Sequence, residues 1–485
     1  MTTDIKEKGI KGFIWVGSGK MFEQLFRWVI SILLARLLMP TDYGLMALTS
    51  LFIYYINYFN ELSIGTAIIQ SKEIDETDLS SAFWLTLGMS ILTCAATFLL
   101  AGAVASFFSQ SRLELILKVS SASFIIMALG VIPYSIVSRE LKFSITAKVN
   151  AMATTAMGLT AVSMAFLGYG VWSLVIGSIV KNSVFTVLMF RYSPWRPKFL
   201  LSYKKSIKLL KFGIPLTGAK SLHTLYYNAD NLIVGRFLGD ILLGYYYMAF
   251  NLSTMLVSSL TRLVNEVNLP ILSRLNHDKS TIGPHLLKTS TYTSLITFPM
   301  LTGMALVAED FIYVVLGAKW LPILIPIKMF CIIGILRTIN ATLHPLLVSA
   351  GRTDLLLRYS IAAAIMLPGG FLLGVQYGIN GVASAWLIVF PLLTFYLLHM
   401  TLNEINLNFI HYLKSLIPAA TSSAFMAIIV YLVSSSEIDI RILRLGLSIG
   451  AGAVSYLLFI FVIHRPIINE SKDIIRTIRK KRVEE

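Results

Sequence analysis

At 485 residues the chain is long enough for two or three soluble domains. It is 56% hydrophobic and only 14% charged, with a mean hydropathy of +0.74, and this excludes them, because soluble domains carry roughly a quarter charged residues. The net charge of +16 is read as the loop charge of a membrane protein beside anionic lipid headgroups, not as a nucleic-acid footprint.

The polar start, Met1 to Lys11, lacks the basic patch, short apolar stretch and small-residue cleavage site of a signal peptide, so the first apolar segment is expected to belong to the mature protein. At about 20 apolar residues per membrane crossing, fourteen spans are predicted. They cover residues 12–38, 43–68, 79–105, 114–137, 147–167, 171–191, 212–238, 243–265, 287–308, 322–348, 358–375, 380–401, 413–433 and 441–463. Cys94 and Cys331 each fall inside an apolar run, so neither a disulfide framework nor a metal-binding spacing is available.

Charge tests the count. With a cytoplasmic N-terminus and alternating spans, most loop lysines and arginines fall inside, together with both termini. The outside loops then hold only Arg112, Lys319 and Arg441. The largest inside connection runs from Arg191 through Trp195-Arg196-Pro197-Lys198 to Lys211 and marks a boundary between two halves. A shift of 200 residues lays the seventh span on the first, pairing Lys11 with Lys211, Lys20 with Lys220, Arg36 with Arg236, Leu38 with Leu238 and Gly44 with Gly244. Gly170-Val171-Trp172-Ser173 similarly pairs with Gly381-Val382-Ala383-Ser384. The expected organisation is a six-helix bundle at 1–191, a basic cytoplasmic connection at 192–211 and a second six-helix bundle at 212–401. Two further helices at 402–463 and a basic cytoplasmic tail at 464–485 complete it. Six spans per repeat gives two parallel bundles related by an axis along the membrane normal.

Ionisable groups inside spans cost about 2.5–3.5 kcal/mol near the bilayer centre and tend to face a cavity or a partner. The first span carries Lys20, Glu23, Gln24, Arg27 and Ser31, spaced by three and four along one face. The seventh carries Lys220, His223, Tyr227, Asp230 and Asn231 in the same spacing. Arg262 and Glu266 lie in or beside the eighth span, and Arg337, Asn340 and His344 in the tenth. Lys20, Arg27, Lys220, Arg262 and Arg337 suit a cationic cleft for a diphosphate, which arginine grips with paired donors and lysine as a point charge. Asp230, Glu23 and His223 are candidates for coupling to H⁺ or Na⁺, Asp230 above the others because no basic residue stands three or four positions away. Structural alternatives stand beside these readings. Glu23 and Arg27 form a neutralising i,i+4 pair, Arg262 snorkels, Asp230 holds a neighbouring helix, and Tyr245-Tyr246-Tyr247 forms an interfacial aromatic belt. No Walker, nucleotide-sugar or metal motif occurs, and the outside loops are short, so neither a cofactor nor an enzyme is expected.

Ordered along the chain are Ala35-Arg36-Leu37-Leu38-Met39-Pro40-Thr41-Asp42-Tyr43-Gly44-Leu45, Ser138-Arg139-Glu140-Leu141-Lys142-Phe143 and Gly168-Tyr169-Gly170-Val171-Trp172-Ser173-Leu174. Asp230-Asn231-Leu232-Ile233-Val234-Gly235-Arg236-Phe237-Leu238-Gly239 and Leu316-Gly317-Ala318-Lys319-Trp320 follow. The set resembles Wzx-type polysaccharide flippases, nearest the colanic-acid and teichuronic-acid exporters, within the multidrug/oligosaccharidyl-lipid/polysaccharide exporter superfamily. The resemblance implies an all-α fold of two six-helix bundles in a V. It also implies alternating access and outward movement of an undecaprenyl-diphosphate-linked oligosaccharide across the bacterial inner membrane, with membrane lipids and glycan-assembly proteins as partners. The competing readings are a drug exporter of the same superfamily, a polysaccharide polymerase or ligase, and an assembly scaffold.

Overall fold

The computed structural model describes residues 24, 26–61, 63–71, 73–207, 210–211, 214, 217, 227–275, 279–436 and 438–465. Among them there is no strand. Residues 26–37 form α1, followed by α2 (Pro40–Glu61), the short α3 (Ile64–Gln70), α4 (Glu76–Phe107), α5 (Ser111–Arg139), α6 (Phe143–Phe166) and α7 (Val171–Tyr192). Then come α8 (Ala229–Leu275), α9 (Lys279–Phe311), α10 (Leu324–Ser349), α11 (Thr353–Gly374), α12 (Gly378–Glu404), α13 (Phe409–Ser434) and α14 (Arg441–Ile463).

The distribution of side chains is that of a membrane protein. Leu99, Phe166, Leu373 and Phe461 point outward, while Ser80, Ser81, Thr86, Ser120 and Ser135 are buried. Small hydroxyl residues allow close helix packing, and several return their proton to the preceding turn, as Thr86 does to the Ala82 carbonyl (2.8 Å). Ten helical stretches among the described residues are long and apolar enough to cross a membrane. One of them, Thr353–Glu404, holds both α11 and α12, and so covers two of the predicted spans. The predicted 43–68 span is divided instead: Ser63, at φ 52°, separates α2 from α3. The chain is a polytopic, all-helical membrane protein.

Two compact units are present, Met1–Tyr247 and Met248–Glu485. In the first, α4 packs on α5, α6 on α7, and α5 on α7. Asp75 caps α4 by accepting from the Asp78 amide (2.8 Å), and Asp78 returns the bond to the Asp75 amide (3.1 Å). The basic connection is strapped to this end. Lys205 pairs with Asp75 and, at 3.3 Å, with Asp78; Trp84 donates to the Lys198 carbonyl (2.8 Å); and Trp195 donates to Glu76 (3.0 Å). The Lys205 ammonium, helped by the Asp78 amide, holds the Asp75 carboxyl well below the usual range, at about 2.

The 200-residue repeat has a physical meaning at one point in this unit. A Cβ on Gly44 would lie 1.9 Å from the Asp240 carbonyl oxygen, and one on Gly244 would lie 1.8 Å from the Pro40 carbonyl oxygen. The start of α2 and the second segment of α8, which follows the break at Gly239 (φ 82°), therefore cross backbone to backbone at paired glycines. The second proposed match behaves differently. Gly170, at φ 54°, precedes α7, whereas Gly381 lies inside α12 and meets Gly374, whose carbonyl oxygen would be 2.0 Å from its Cβ.

In the second unit α9 packs on α10 and α13, α11 on α12, and α13 on α14. Arg444 of α14 grips Asp310 of α9 through two bonds, Nε to Oδ2 (2.7 Å) and Nη2 to Oδ1 (2.6 Å), so the last two helices are fastened to this unit.

Gly44→Ala and Gly244→Ala are each expected to destabilise the purified protein by about 3 kcal/mol, the upper end for overpacking, because backbone rather than a side chain must give way. Gly446→Ala, at a helical position with nothing within 4 Å of its Cβ, serves as the control and is expected to be neutral or to stabilise by up to about 1 kcal/mol. Thermal unfolding in detergent reads the difference, and equal melting temperatures for the three variants would contradict the crossing.

Candidate functional site

Lys20, Glu23, Lys220 and His223 lie outside the described residues, as does the side chain of Arg262, which falls within α8. The structure places Arg27, Asp230 and Arg337. Arg27 is half-buried near the start of α1. Phe26, Ile30 and Leu34 recur every four residues on that helix and pack with Ala161 and Ala165 of α6. Gly158 admits this approach, since its Cβ would sit 2.8 Å from Ile30. Arg27 and Ser31 follow Phe26 and Ile30 by one residue each, so the polar stripe flanks the packed face of α1.

Asp230 is fully buried in the first segment of α8. Its Oδ2 accepts a hydrogen bond from the Tyr246 hydroxyl (2.8 Å), and its Oδ1 accepts from the Asn231 amide (2.7 Å). Tyr246 belongs to the second segment, so the pair ties the two segments across Gly239. This corrects the aromatic-belt reading at that position: Tyr246 has no exposed surface and serves as an internal hydrogen-bond donor. The hydroxyl and the amide help make a buried carboxylate tolerable here.

Arg337, on α10, lies among aromatic rings of the second unit. Its guanidinium carbon is 4.5 Å from the Phe250 ring centre, 4.7 Å from Trp386 and 5.9 Å from Phe390. Nη1 donates to the Thr254 hydroxyl (3.1 Å). The rings brace one another: Phe250 meets Phe330 edge-on at 5.3 Å, and Trp386 meets Phe390 at 5.5 Å. Cation–π attraction is worth about 2 kcal/mol or more where the cation is desolvated, which lets a charge reside in an apolar wall. Asn340, one turn along, donates to the Tyr359 hydroxyl at 3.4 Å. His344 is exposed and precedes Pro345 within α10.

The sequence reading passed over a further polar group in the first unit. Asn57, Asn150, Lys181 and Asn182 line a cavity of about 290 Å³. The signal was available, since Lys181-Asn182 interrupts an otherwise apolar sixth span. The pair lies outside the polar stripes of the first and seventh spans, and its partners Asn57 and Asn150 come from other helices that no local spacing connects to it. Among the described residues no group of acidic, histidine and cysteine side chains could hold a metal ion.

Residues 33–325 match a family model described as polysaccharide biosynthesis protein. The chain is 25% identical over 489 residues to an uncharacterized membrane protein in the cps region of Klebsiella pneumoniae, covering 98% of this chain and 99% of that one. It is 25% identical over 392 residues to the lipopolysaccharide biosynthesis protein WzxC of Escherichia coli (79% of each chain). It is 24% identical over 473 residues to the teichuronic acid biosynthesis protein TuaB of Bacillus subtilis (93% and 95%). Among solved structures, the lipid II flippase MurJ in an inward closed conformation matches with a TM-score of 0.77 at 17% identity, over 94% of this chain and 100% of that one. An inward-facing multidrug resistance MATE transporter matches with a TM-score of 0.64 at 11% identity, over 81% and 98%. These structural likenesses show a shared fold.

The ring cage makes Arg337 specific for arginine, because a lysine ammonium cannot stack its flat face on Phe250 and Trp386. Arg337→Lys is expected to cost about 1–2 kcal/mol and Arg337→Ala about 3 kcal/mol or more through added loss of the Thr254 bond. Thermal unfolding and tryptophan fluorescence check this. Unchanged values in both variants would dissolve the cage.

Proposed function

Because the chain belongs to the polysaccharide biosynthesis protein family, we propose that it is a flippase for a lipid-linked oligosaccharide. It carries an undecaprenyl-diphosphate-linked glycan from the cytoplasmic to the outer leaflet of a bacterial inner membrane, by alternating access. The family match carries the reading. The relatives named for lipopolysaccharide and teichuronic acid biosynthesis, and the fold shared with a lipid II flippase, support it. The likeness to a multidrug transporter is one of fold at 11% identity and does not favour drug export.

In this reading Lys20, Arg27, Lys220, Arg262 and Arg337 hold the diphosphate. Arg337 presents its charge from a braced wall, so little side-chain entropy is lost on binding. The functional division is six spans, six spans and two, with the basic connection 192–211 and both termini in the cytoplasm. Asp230, with Glu23 and His223, couples movement to H⁺ or Na⁺. Ion exchange at Asp230 then involves the Tyr246 hydroxyl, whose bond to the carboxylate must be given up or shared.

Two experiments test these statements. Proteoliposomes holding the purified protein should move the host's lipid-linked oligosaccharide to the opposite leaflet, and Arg27→Ala with Arg337→Ala should slow movement at least tenfold, as expected from losing charged hydrogen bonds of about 1.5–3 kcal/mol each. Export of a small cationic drug without glycan movement would overturn the assignment. Reporter fusions at Lys198 and Glu485 should read as cytoplasmic, and Asp230→Asn should abolish the response to an imposed ion gradient. A periplasmic reporter, or an intact gradient response, would refute the topology or the coupling role respectively.

A further inference from the structure

The connection that follows α7 leaves large apolar side chains in the open. Phe199, Leu201 and Tyr203 are 91%, 70% and 81% exposed. The segment is nonetheless well fixed. Beside the bonds already described, the Ser202 amide donates to the Ser81 hydroxyl (2.9 Å), and the Phe199 ring stacks on Trp84, with ring centres 4.8 Å apart and planes inclined at 20°. Apolar side chains held open by a fixed backbone form a surface that something else covers.

The helix beneath says where that surface lies. Trp84, Gly88, Leu92, Ala95 and Leu99 recur every three or four residues, so they share one face of α4. Leu92 and Leu99 are 64% and 80% exposed within an apolar span, which makes this the lipid face. Phe199, stacked on Trp84, is therefore on the lipid side. Depth follows from length. The 32 residues of α4 make about 48 Å of helix, so around a hydrocarbon core of about 30 Å it projects about 9 Å on either side. Trp84 lies about 12 Å from the start of the helix. The stacked rings thus sit at the hydrocarbon boundary, and Asp75 and Asp78 lie outside it. One turn deeper, Gly88 has nothing within 4 Å of its Cβ position, which leaves a notch in the lipid face beneath the rings.

Charge narrows the occupant. Residues 191–211 hold seven lysines and arginines and no acid. Lys205 answers Asp75 and Asp78. Lys198 stands 3.8 Å from Glu76 and keeps 63% of its side chain exposed, and Lys204, beside Tyr203, is exposed as well. The apolar trio is therefore flanked by two accessible ammonium groups at the level of the headgroups. Rings at the hydrocarbon edge with lysines just above them suit an anionic lipid, whose chains meet the rings while its phosphate meets the lysines. A protein partner would have to displace bilayer to reach the lipid side of α4 at this depth.

We propose that the connection after α7 and the lipid face of α4 form a binding site for an anionic phospholipid of the surrounding bilayer. Its phosphodiester pairs with Lys198 and Lys204, its upper acyl chains pack on Phe199, Leu201 and Tyr203, and one chain enters the notch at Gly88. The bound lipid covers the connection and presses it against α4. The site requires only that the chain spans a membrane. It depends neither on the flippase reading nor on which side of the membrane the connection faces.

The test is photocrosslinking of the full-length protein in phosphatidylcholine nanodiscs, with the labelled peptides mapped by mass spectrometry. The probes are diazirine-bearing phosphatidylglycerol and diazirine-bearing phosphatidylcholine, each added in trace. Phosphatidylglycerol should label residues 198–204 and 84–92 about fivefold more than phosphatidylcholine does. Raising sodium chloride from about 0.1 M to about 1 M, which shortens the screening length from about 10 Å to about 3 Å, should remove most of that preference. Lys198→Gln with Lys204→Gln should bring the two probes within about twofold of each other, and Phe199→Ser with Leu201→Ser should lower labelling by both. The salt arm decides the matter on the unaltered chain should either variant fail to fold. Equal labelling by the two probes overturns the proposal, as does a preference that survives high salt or the lysine changes. Competition by undecaprenyl phosphate that outstrips phosphatidylglycerol would make this a carrier-lipid site instead. Oxidation of Phe199, Leu201 and Tyr203 by hydroxyl radicals without lipid labelling would show the face open to water, and would assign it to a protein partner.

Discussion

Two glycines and two carbonyls hold the first unit's geometry. Gly44 presses on the Asp240 carbonyl while Gly244 presses on that of Pro40, at distances that leave no space for a methyl group. The turn around them is fixed by Asp42, a buried carboxylate whose Oδ2 accepts the Met39 amide (2.9 Å) and whose Oδ1 would lie 2.9 Å from a Cβ on Gly170. One small volume therefore joins the α1–α2 turn, the start of α7 and the second segment of α8. Leu38, Leu45 and Leu48 are buried close by in the chain, and Gly235 admits the Leu48 side chain at 2.7 Å from its own Cβ position.

A membrane offers no water to an ionisable group, and the described residues show three ways of living with that. Asp230 is held by short bonds from a phenol and an amide and becomes part of the scaffold. Arg337 lies against ring faces that stabilise its charge and donates to the Thr254 hydroxyl. Lys181 lines a cavity together with the carboxamides of Asn57, Asn150 and Asn182. The difference is one of purpose as well as environment: the first fixes backbone, the second presents charge from a rigid wall, and the third borders a cavity.

Much of this was legible in the sequence. Apolar runs gave the all-helical membrane class, the ordered motifs gave the family, and the match of Gly44 to Gly244 singled out two residues that meet in space. Its reciprocity was not legible, because a sequence shift says which residues correspond and not that they touch. The Asp230 partner escaped for a related reason. Tyr246 sits sixteen positions on, beyond any helical spacing rule, and its neighbours Tyr245 and Tyr247 made the run resemble an interfacial belt. Arg337 was found by its charge, but its rings come from α8 and α12, which no local pattern connects to α10. Lys181 shows the opposite case: it stands in plain view within the sixth span, yet only the fold brings Asn57 of α2 and Asn150 of α6 to the same cavity.

The strap at the end of α4 has a consequence for biogenesis. Its donors and acceptors, Trp84, Asp75, Glu76 and Ser81 with Trp195, Lys198, Ser202 and Lys205, all precede residue 206. A nascent chain can close these contacts before the later helices leave the translocon. The crossing at Gly44 cannot close then, because Asp240 and Gly244 have not yet been made. Synthesis therefore passes through a stage in which the early helices are assembled around an open slot, and the arrival of α8 seals it.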